Sequence, residues 1–287
     1  MSNIQYIGYT SIDWKQQEQN HTQGILQFLW EEGFATAEQI KKAVFQHLTE
    51  KSLFHKRKLL KLEKAGLIKR KPVLFSKSGV YYLTQTGWDN INNPDAHKII
   101  PTHKDKITVA NGPHRLACIN ARIQIEKIIS ADKYYSERTI RLYPEQLPRK
   151  PDMLMIINNP AESAADALMN NPPNNVADAL TGKIAIEVEL TYRNTNKTKQ
   201  IIGYWIYAIQ KRKIDYCIIL TDTQAKTQRL QNLINQQKNQ FIPIQIKKTI
   251  FGKKDYISEK ILAEPNQLSK IITATIGQIN SIKNAFK

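Results

Sequence analysis

Between residues 24 and 67 the apolar positions recur at helical spacing in three successive runs. GILQFLWEEG (24–33), ATAEQIKKAVFQHL (35–48) and TEKSLFHKRKLLKLEKAGL (49–67) each predict a short amphipathic helix. Thr36 with Glu38, and Thr49 with Ser52, supply helix starts, while Gly33 and Gly66 supply stops. Beyond Gly66 the pattern changes to alternation. LIKRK, PVLFSKSG and VYYLTQTG read as strands, with Ser78-Gly79 as the expected hairpin turn. These elements define a first domain over 21–92, preceded by a tail (1–20) and followed by a linker (93–111) that carries Pro94, Pro101 and Asn111 without periodicity.

A second pattern begins at residue 112. GPHRLACINARIQIEKIIS (112–130) spaces Leu116, Ile119, Ile123 and Ile128 for a helix, and four strand-like runs follow: YYSERTIRL, DMLMII, KIAIEVEL and DYCIIL. KTKQIIGYWIYAIQ separates the last two as a helix, and TQAKTQRLQNLINQQ is another, ahead of FIPIQIKK. Strands interleaved with helices predict an α/β domain with a mixed, partly parallel sheet over 112–250. The Asn/Pro/Ala-rich stretch 158–182, which holds ADAL twice, reads as a surface insertion. Residues 251–287 are expected to form a helical extension. Leu268, Ile272, Ile276 and Ile279 would share one face, packed on the second domain or joining two copies as a homodimer through that helix or domain.

Charge adds a partner to this outline. The 287 residues hold 42 Lys+Arg and 25 Asp+Glu, a net charge of +17. Eleven Lys/Arg and two Glu lie between Lys41 and Lys71, so a net +9 is concentrated there. Three helices and a hairpin, with cations crowded on the third helix and the hairpin, are the layout of a winged helix-turn-helix that binds a polyanion. Ser52, Lys56, Arg57 and Lys58 on the helix, and Lys69, Arg70 and Lys71 on the wing, are the expected contacts to double-stranded DNA. An apolar content of 41% excludes wholesale disorder. The longest apolar runs, such as 201–209, fall far short of the roughly 20 residues that span a bilayer. The opening MSNIQYIGYT lacks a secretion signal's basic and apolar blocks, so a cytoplasmic protein is expected. Cys118 and Cys217 make neither a metal pattern nor a disulfide framework and read as buried thiols.

The carboxylates carry the candidate chemistry. In RKPD, Asp152 stands at the entrance of the apolar run 153–157; in IEVEL, Glu187 and Glu189 interrupt an apolar strand. Strand side chains alternate faces, so Glu187 and Glu189 point the same way. If the two strands are neighbours, three carboxylates converge. Such a cluster repels itself unless it is protonated or bridged by a cation, and oxygen ligands suit Mg²⁺ or Mn²⁺. A divalent ion beside a basic surface is what phosphodiester cleavage requires. Arg193, Lys197 and Lys199 follow the strand and are candidates to hold the DNA backbone. Tyr192, Tyr204 and Tyr207 have the hydroxyls that relaxases of other folds use as nucleophiles, although aromatics at this spacing also read as core. Hydrolytic and covalent cleavage both stay open.

Several motifs resemble known families. LEKAGLI (62–68) resembles the end of a winged-helix recognition helix running into the wing, and YLTQTG (82–87) the returning wing strand and next helix start. Pro151-Asp152 followed by Glu187-x-Glu189 resembles the PD-(D/E)XK core of the restriction-endonuclease-like superfamily in its E-x-E form, with the long step between them filled by the insertion. That resemblance implies Asp152 and Glu187 as metal ligands. Glu189 stands where most members carry Lys, so the water-activating role falls to Glu189 itself or to Lys197 or Lys199. Gln200 and Tyr204 resemble the Q-x-x-x-Y motif of some such nucleases. With His114-Arg115-Leu116 and Ser136-Glu137-Arg138, the chain from about 25 to 225 is similar to the plasmid replication-relaxation proteins and MobC-type mobilisation relaxases. This resemblance implies origin recognition by the winged helix and strand nicking by the metal centre, with Glu137 as an additional acidic residue near it. The competing reading is a non-catalytic regulator of plasmid replication or transcription with a degenerate nuclease-like domain.

Overall fold

The computed structural model describes residues 14–46, 49, 52–99, 107–127, 129, 131–157, 182–191, 194–250 and 253–277. The tail before residue 14, most of the insertion (158–181) and residues 278–287, including Ile279, lie outside the described residues. The fold is mixed α/β, and the chain divides into two compact units, Met1–Ile123 with Tyr135–Leu142, and Gln124–Tyr134 with Tyr143–Lys287.

In the first unit, α1 (Trp14–Glu32), α2 (Ala37–Val44) and α3 (Phe54–Lys64) precede a hairpin of β1 (Ile68–Val73) and β2 (Ser76–Leu83) and a short helix α4 (Gln85–Asp89). Thr36 starts α2: its side chain accepts from the Gln39 N–H, and the Gln39 side chain accepts from the Thr36 N–H, so two orphan donors of the helix start are satisfied reciprocally. Ile25, Leu26 and Leu29 of α1, Ile40 of α2, Leu59 and Leu62 of α3, and Ile68 and Leu83 of the hairpin form one buried cluster. Ala35 bridges Tyr81 of β2 through hydrogen bonds in both directions, which ties the α1–α2 turn to the hairpin.

The expected turn at Ser78-Gly79 is displaced. The strands reverse at Leu74-Phe75, and Ser78-Gly79 lies inside β2. The register shifts between Lys71, paired with Val80, and Val73, paired with Ser76. Gly79 absorbs the shift at φ +69°, and a Cβ there would meet the Lys71 carbonyl oxygen at 2.8 Å. The glycine serves a bulge within the strand, a use that sequence alone does not separate from a turn.

α5 (Gly112–Ile125), as far as Ile123, and the segment Tyr135–Leu142 also belong to the first unit, and both attach to the end of α1. The Leu29 carbonyl accepts from the Gly33 N–H at 2.9 Å, the Trp30 carbonyl from Arg138 Nε at 3.0 Å, the Glu31 carbonyl from Ser136 Oγ, and the Glu32 carbonyl from Arg115 Nη2 at 2.7 Å. The buried Arg122 guanidinium lies between the two acids of the same turn, 2.6 Å from Glu31 and 2.5 Å from Glu32. The strand expected over 134–142 is therefore cut short: β3 is Lys133–Ser136, and Ser136 and Thr139 exchange side-chain-to-backbone bonds that turn the chain into a 3₁₀ segment, Ile140–Leu142.

The second unit is built on a sheet of order β3-β4-β5-β6-β9, with β4 (Met153–Ile157), β5 (Gly182–Glu189), β6 (Tyr216–Thr221) and β9 (Ile271–Thr275). β4 and β5 are antiparallel; β5, β6 and β9 are mutually parallel. α6 (Thr195–Gln210) makes the β5–β6 crossover, and α7 (Gln224–Gln236), a ribbon of β7 (Phe241–Ile250) and β8 (Lys253–Leu262), and α8 (Pro265–Leu268) separate β6 from β9. Gly203 lets α6 approach the ribbon closely: a Cβ there would lie 2.7 Å from Ile244 and 2.8 Å from Ile242. The helical extension expected over 251–287 is thus corrected. Residues 253–262 and 271–275 are strands, and Ile271, Ile272 and Ala274 are buried within the unit. A run rich in β-branched residues and buried on both faces loses the alternation that marks a strand, so its apolar spacing matched a helix by coincidence.

Gly87 sits in α4 where the helix start crosses β1's entry, and a Cβ would fall 1.8 Å from the Leu67 carbonyl oxygen. Gly87→Ala is expected to destabilise the first unit by about 1–3 kcal/mol, as overpacked sites do, measured as a lower midpoint in urea denaturation.

Candidate functional site

In the first unit the basic surface forms on α3 and β1. His55, Lys58, Leu59 and Leu62 recur at the spacing of one helix face and are buried, which leaves Lys56, Arg57 and Lys61 outward. Lys56 and Arg57 are exposed. Lys58 is not part of that exposed run: it is 5% exposed, and its ammonium donates to the Glu18 carbonyl at 3.0 Å and lies 3.5 Å from the Glu18 carboxylate, which Lys61 also holds. Burial lowers the Lys58 pKa, and Glu18 opposes that shift. Ser52 Oγ accepts from the Phe54 N–H at 3.3 Å at the start of α3. On β1, Lys69, Arg70 and Lys71 are all exposed, but Arg70 is tied into the hairpin, where Nε and Nη2 donate to the Ser78 carbonyl at 3.0 and 2.7 Å. Lys69 and Lys71 share the other face of the strand, because side chains alternate.

In the second unit the strand register sets the acids on one face of the sheet. β4 and β5 are antiparallel with Met153 opposite Ile186, so the next step places Asp152 across from Glu187, and the Val188 N–H donates to Asp152 Oδ2 at 2.7 Å. Directly opposed residues share a face, and Glu189 follows Glu187 on it. Glu187 is 5% exposed; Arg149 Nε donates to its Oε1 at 2.8 Å. Burial pulls the Arg149 pKa down, but attraction to Glu187 first, then to Asp152 and Glu189, leaves it raised overall. Glu189 is half-buried and accepts from the N–H and hydroxyl of Thr191 at 3.3 and 3.2 Å. Burial, and then the nearby Glu187 carboxylate, hold the Cys217 thiol well above its ordinary pKa, so it stays protonated and inert.

After β5 the chain enters α6, where Asn194 caps the helix by accepting from the Lys197 N–H at 3.0 Å. Lys197 is exposed and Lys199 half-buried near that start. Arg193 and Tyr192 lie outside the described residues. Tyr204 gives its hydroxyl proton to the Gln245 carbonyl at 2.9 Å, a packing role on the ribbon, and Tyr207 lies under the Lys211 ammonium at 5.6 Å. Glu137 belongs to the first unit, just past β3. The donors on the β4–β5 face are carboxylate oxygens, the type Mg²⁺ and Mn²⁺ prefer, but those of Asp152, Glu187 and Glu189 do not form a group lying within 4.8 Å of one another, and the cation that Glu187 holds here is Arg149. In sequence Arg149 is visible only as one of two cations entering an apolar strand, three residues before Asp152.

Among known proteins, residues 26–148 are similar to the replication-relaxation family, whose model matches that stretch. No curated protein and no solved structure matches the chain. The matched stretch takes in α2, α3, the hairpin and the Arg115, Ser136 and Arg138 attachments, and stops before Asp152, Glu187 and Glu189.

His55 faces the core of the first unit at 3% exposure, and its Nδ1 has no hydrogen-bond partner among the described residues. Burial first, and the Lys41 charge second, lower its pKa below the ordinary value of 6.5. The unfolded chain therefore binds a proton at higher pH than the folded one. Stability is expected to be full above about pH 6.5 and to fall as the pH drops from there to the lowered folded value. Denaturation midpoints between pH 8 and 5 should show this decline, and His55→Gln should flatten it.

Proposed function

We propose that this protein binds plasmid or mobile-element origin DNA through a winged helix-turn-helix in its first unit, and nicks one strand with a restriction-endonuclease-like site in its second. The observation that carries the catalytic part is the β4–β5 register, which sets Asp152 across from Glu187 with Glu189 next on the same face. The antiparallel β4–β5 pair, followed by a parallel β5–α6–β6 crossover, supports the nuclease-like reading. The similarity of residues 26–148 to replication-relaxation proteins supports a role in plasmid replication or mobilisation.

In this reading α3 docks in the major groove with Lys56 and Arg57 outward, and Lys69 and Lys71 of β1 sit on phosphates. Asp152 and Glu187 would hold a Mg²⁺ or Mn²⁺ ion. Such an ion, when bound, lowers the pKa of a water and neutralises charge on the phosphate. In this reading Glu189 would orient the attacking water and take its proton, and Lys197 and Lys199 at the start of α6 would hold the DNA backbone. A second reading, a regulator that binds DNA without cutting it, draws support from the Arg149–Glu187 ion pair and from a family match that ends before the acids.

Purified protein with Mg²⁺ or Mn²⁺ is expected to relax a supercoiled plasmid carrying its own origin. Asp152→Ala and Glu187→Ala should shift that DNA in a gel but leave it supercoiled; relaxation by these variants at the wild-type rate eliminates the nuclease reading and leaves the regulator. For the binding surface, Lys56→Ala and Arg57→Ala should each cost about 1 kcal/mol of affinity and lower the salt slope by roughly one. Lys58→Met should leave the slope unchanged and lower stability instead. A slope that falls with Lys58→Met and not with the other two moves the DNA surface elsewhere.

A further inference from the structure

The following inference rests on the reading of the first unit as a DNA-binding winged helix and is independent of the acids in the second. The hairpin of β1 and β2 reverses on two large apolar residues, Leu74 and Phe75, between Val73 and Ser76, which pair with each other. Two-residue hairpin turns favour Gly, Asn and Asp, whose positive φ matches the twist of the strands. Neither apex residue has positive φ. Turn chemistry therefore does not select a leucine here. Burial does not select it either: Leu74 is 93% exposed, the most exposed large apolar side chain among the described residues. Its neighbour packs inward. Phe75 is half-buried, its ring centred 6.4 Å from that of the fully buried Phe34 and so close to Gly112 that a Cβ there would meet it at 2.1 Å. Phe34 in turn lies under the Arg115 guanidinium at 4.3 Å. The apex is thus anchored by one side chain while the one before it is held out in water.

The surroundings of Leu74 are cationic. Residues 69–80 hold Lys69, Arg70, Lys71 and Lys77 and no acid; all four cations are exposed, with Arg70 committed to the Ser78 carbonyl. An apolar tip framed by cations is complementary to a DNA duplex, whose phosphates attract the lysines and whose stacked bases offer apolar surface within. One leucine presents too little area to hold a protein on a bilayer, which takes a larger apolar face or two anchors. With Lys71 on a phosphate, the apex three residues on extends about 10 Å further at the rise of a strand, more than the roughly 7.5 Å depth of the minor groove. We propose that Leu74 is an apolar wedge that enters the minor groove, parts one base step and bends the bound DNA, with Phe75 fixing the hairpin behind it. The step is then read through its deformability, without hydrogen bonds to base edges, and pyrimidine–purine steps such as TA are the expected target because they unstack most readily.

The test uses the full chain and short duplexes that the wild type selects from a randomised pool, with bending read from the gel mobility of circularly permuted fragments. Wild type should bend the selected duplex by about 20–90°; Leu74→Ala should lose most of that bend, and Leu74→Met should restore it. A single mismatch moved stepwise along the duplex removes stacking that the wedge must otherwise break. It should raise wild-type affinity about ten-fold at the parted step, and at no step for Leu74→Ala. The exposure of Leu74 keeps these substitutions out of the core, so thermal melts of the three chains should coincide. A straight wild-type complex, undiminished bending by Leu74→Ala, or a mismatch profile that this variant shares with wild type overturns the wedge while DNA binding stands. A pool from which the wild type enriches no duplex overturns the DNA reading and the wedge with it. Capture of wild type, but not of Leu74→Ala, on phosphatidylglycerol vesicles assigns the apex to a membrane surface and also overturns the wedge.

Discussion

Helix α1 ends on carbonyls that the helix cannot satisfy and on two adjacent acids, and this concentration of negative charge organises the first unit. The last carbonyls of any helix are orphaned and carry the negative end of its dipole, so they favour cations. Here the donors come from far along the chain: Arg115 from α5, Ser136 from the end of β3 and Arg138 from just beyond it. Burial pulls Arg138 down to about 10, still a cation at neutral pH, and Arg122 is clasped by Glu31 and Glu32. Removing one partner would leave a buried charge uncompensated, which costs far more than the pair gains in isolation. This is why Tyr135–Leu142 belongs with the first unit although the residues on either side of it belong to the second.

The same logic recurs at a smaller scale in both candidate surfaces. On α3 the basic run divides by geometry: Lys58 turns inward to Glu18, and Lys56 and Arg57 face outward. On β1 Arg70 closes the hairpin while Lys69 and Lys71 stand clear of that task. In the second unit the acids share a face because strands β4 and β5 pair in one register, and Arg149 is the cation paired with Glu187. Each charge is thus assigned either to the fold or to a partner by burial, and formal net charge overstates what is available for binding.

Much of the fold was legible because its signals are local. Thr36 and Thr84 cap helices where their short polar side chains reach a free N–H, and the apolar runs at 153–157 and 216–221 are strands. The shared face of Asp152, Glu187 and Glu189 was legible because strand alternation fixes two of them and pairing fixes the third. What escaped depends on distant partners. Gly79 announces positive φ without saying whether a bulge or a reversal uses it. The strand at 271–275 carries no local sign of its state, because its pairing partner lies some fifty residues earlier. Arg149 and Arg122 escaped because an ion pair between residues 38 or 90 positions apart leaves no periodic trace.

The parallel pairing of β9 with β6 has a consequence for how the chain is made. β6 comprises residues 216–221, yet one of its two edges is filled only by residues 271–275. During synthesis, Cys217 to Thr221 emerge well before their neighbour, and an open apolar edge is a template for pairing with another chain. α7 and the β7–β8 ribbon are translated in that interval, and α7 goes on to pack against β9 once it arrives. The second unit therefore closes late on the ribosome, and its nascent form depends on whatever shelters that edge until the final strand docks.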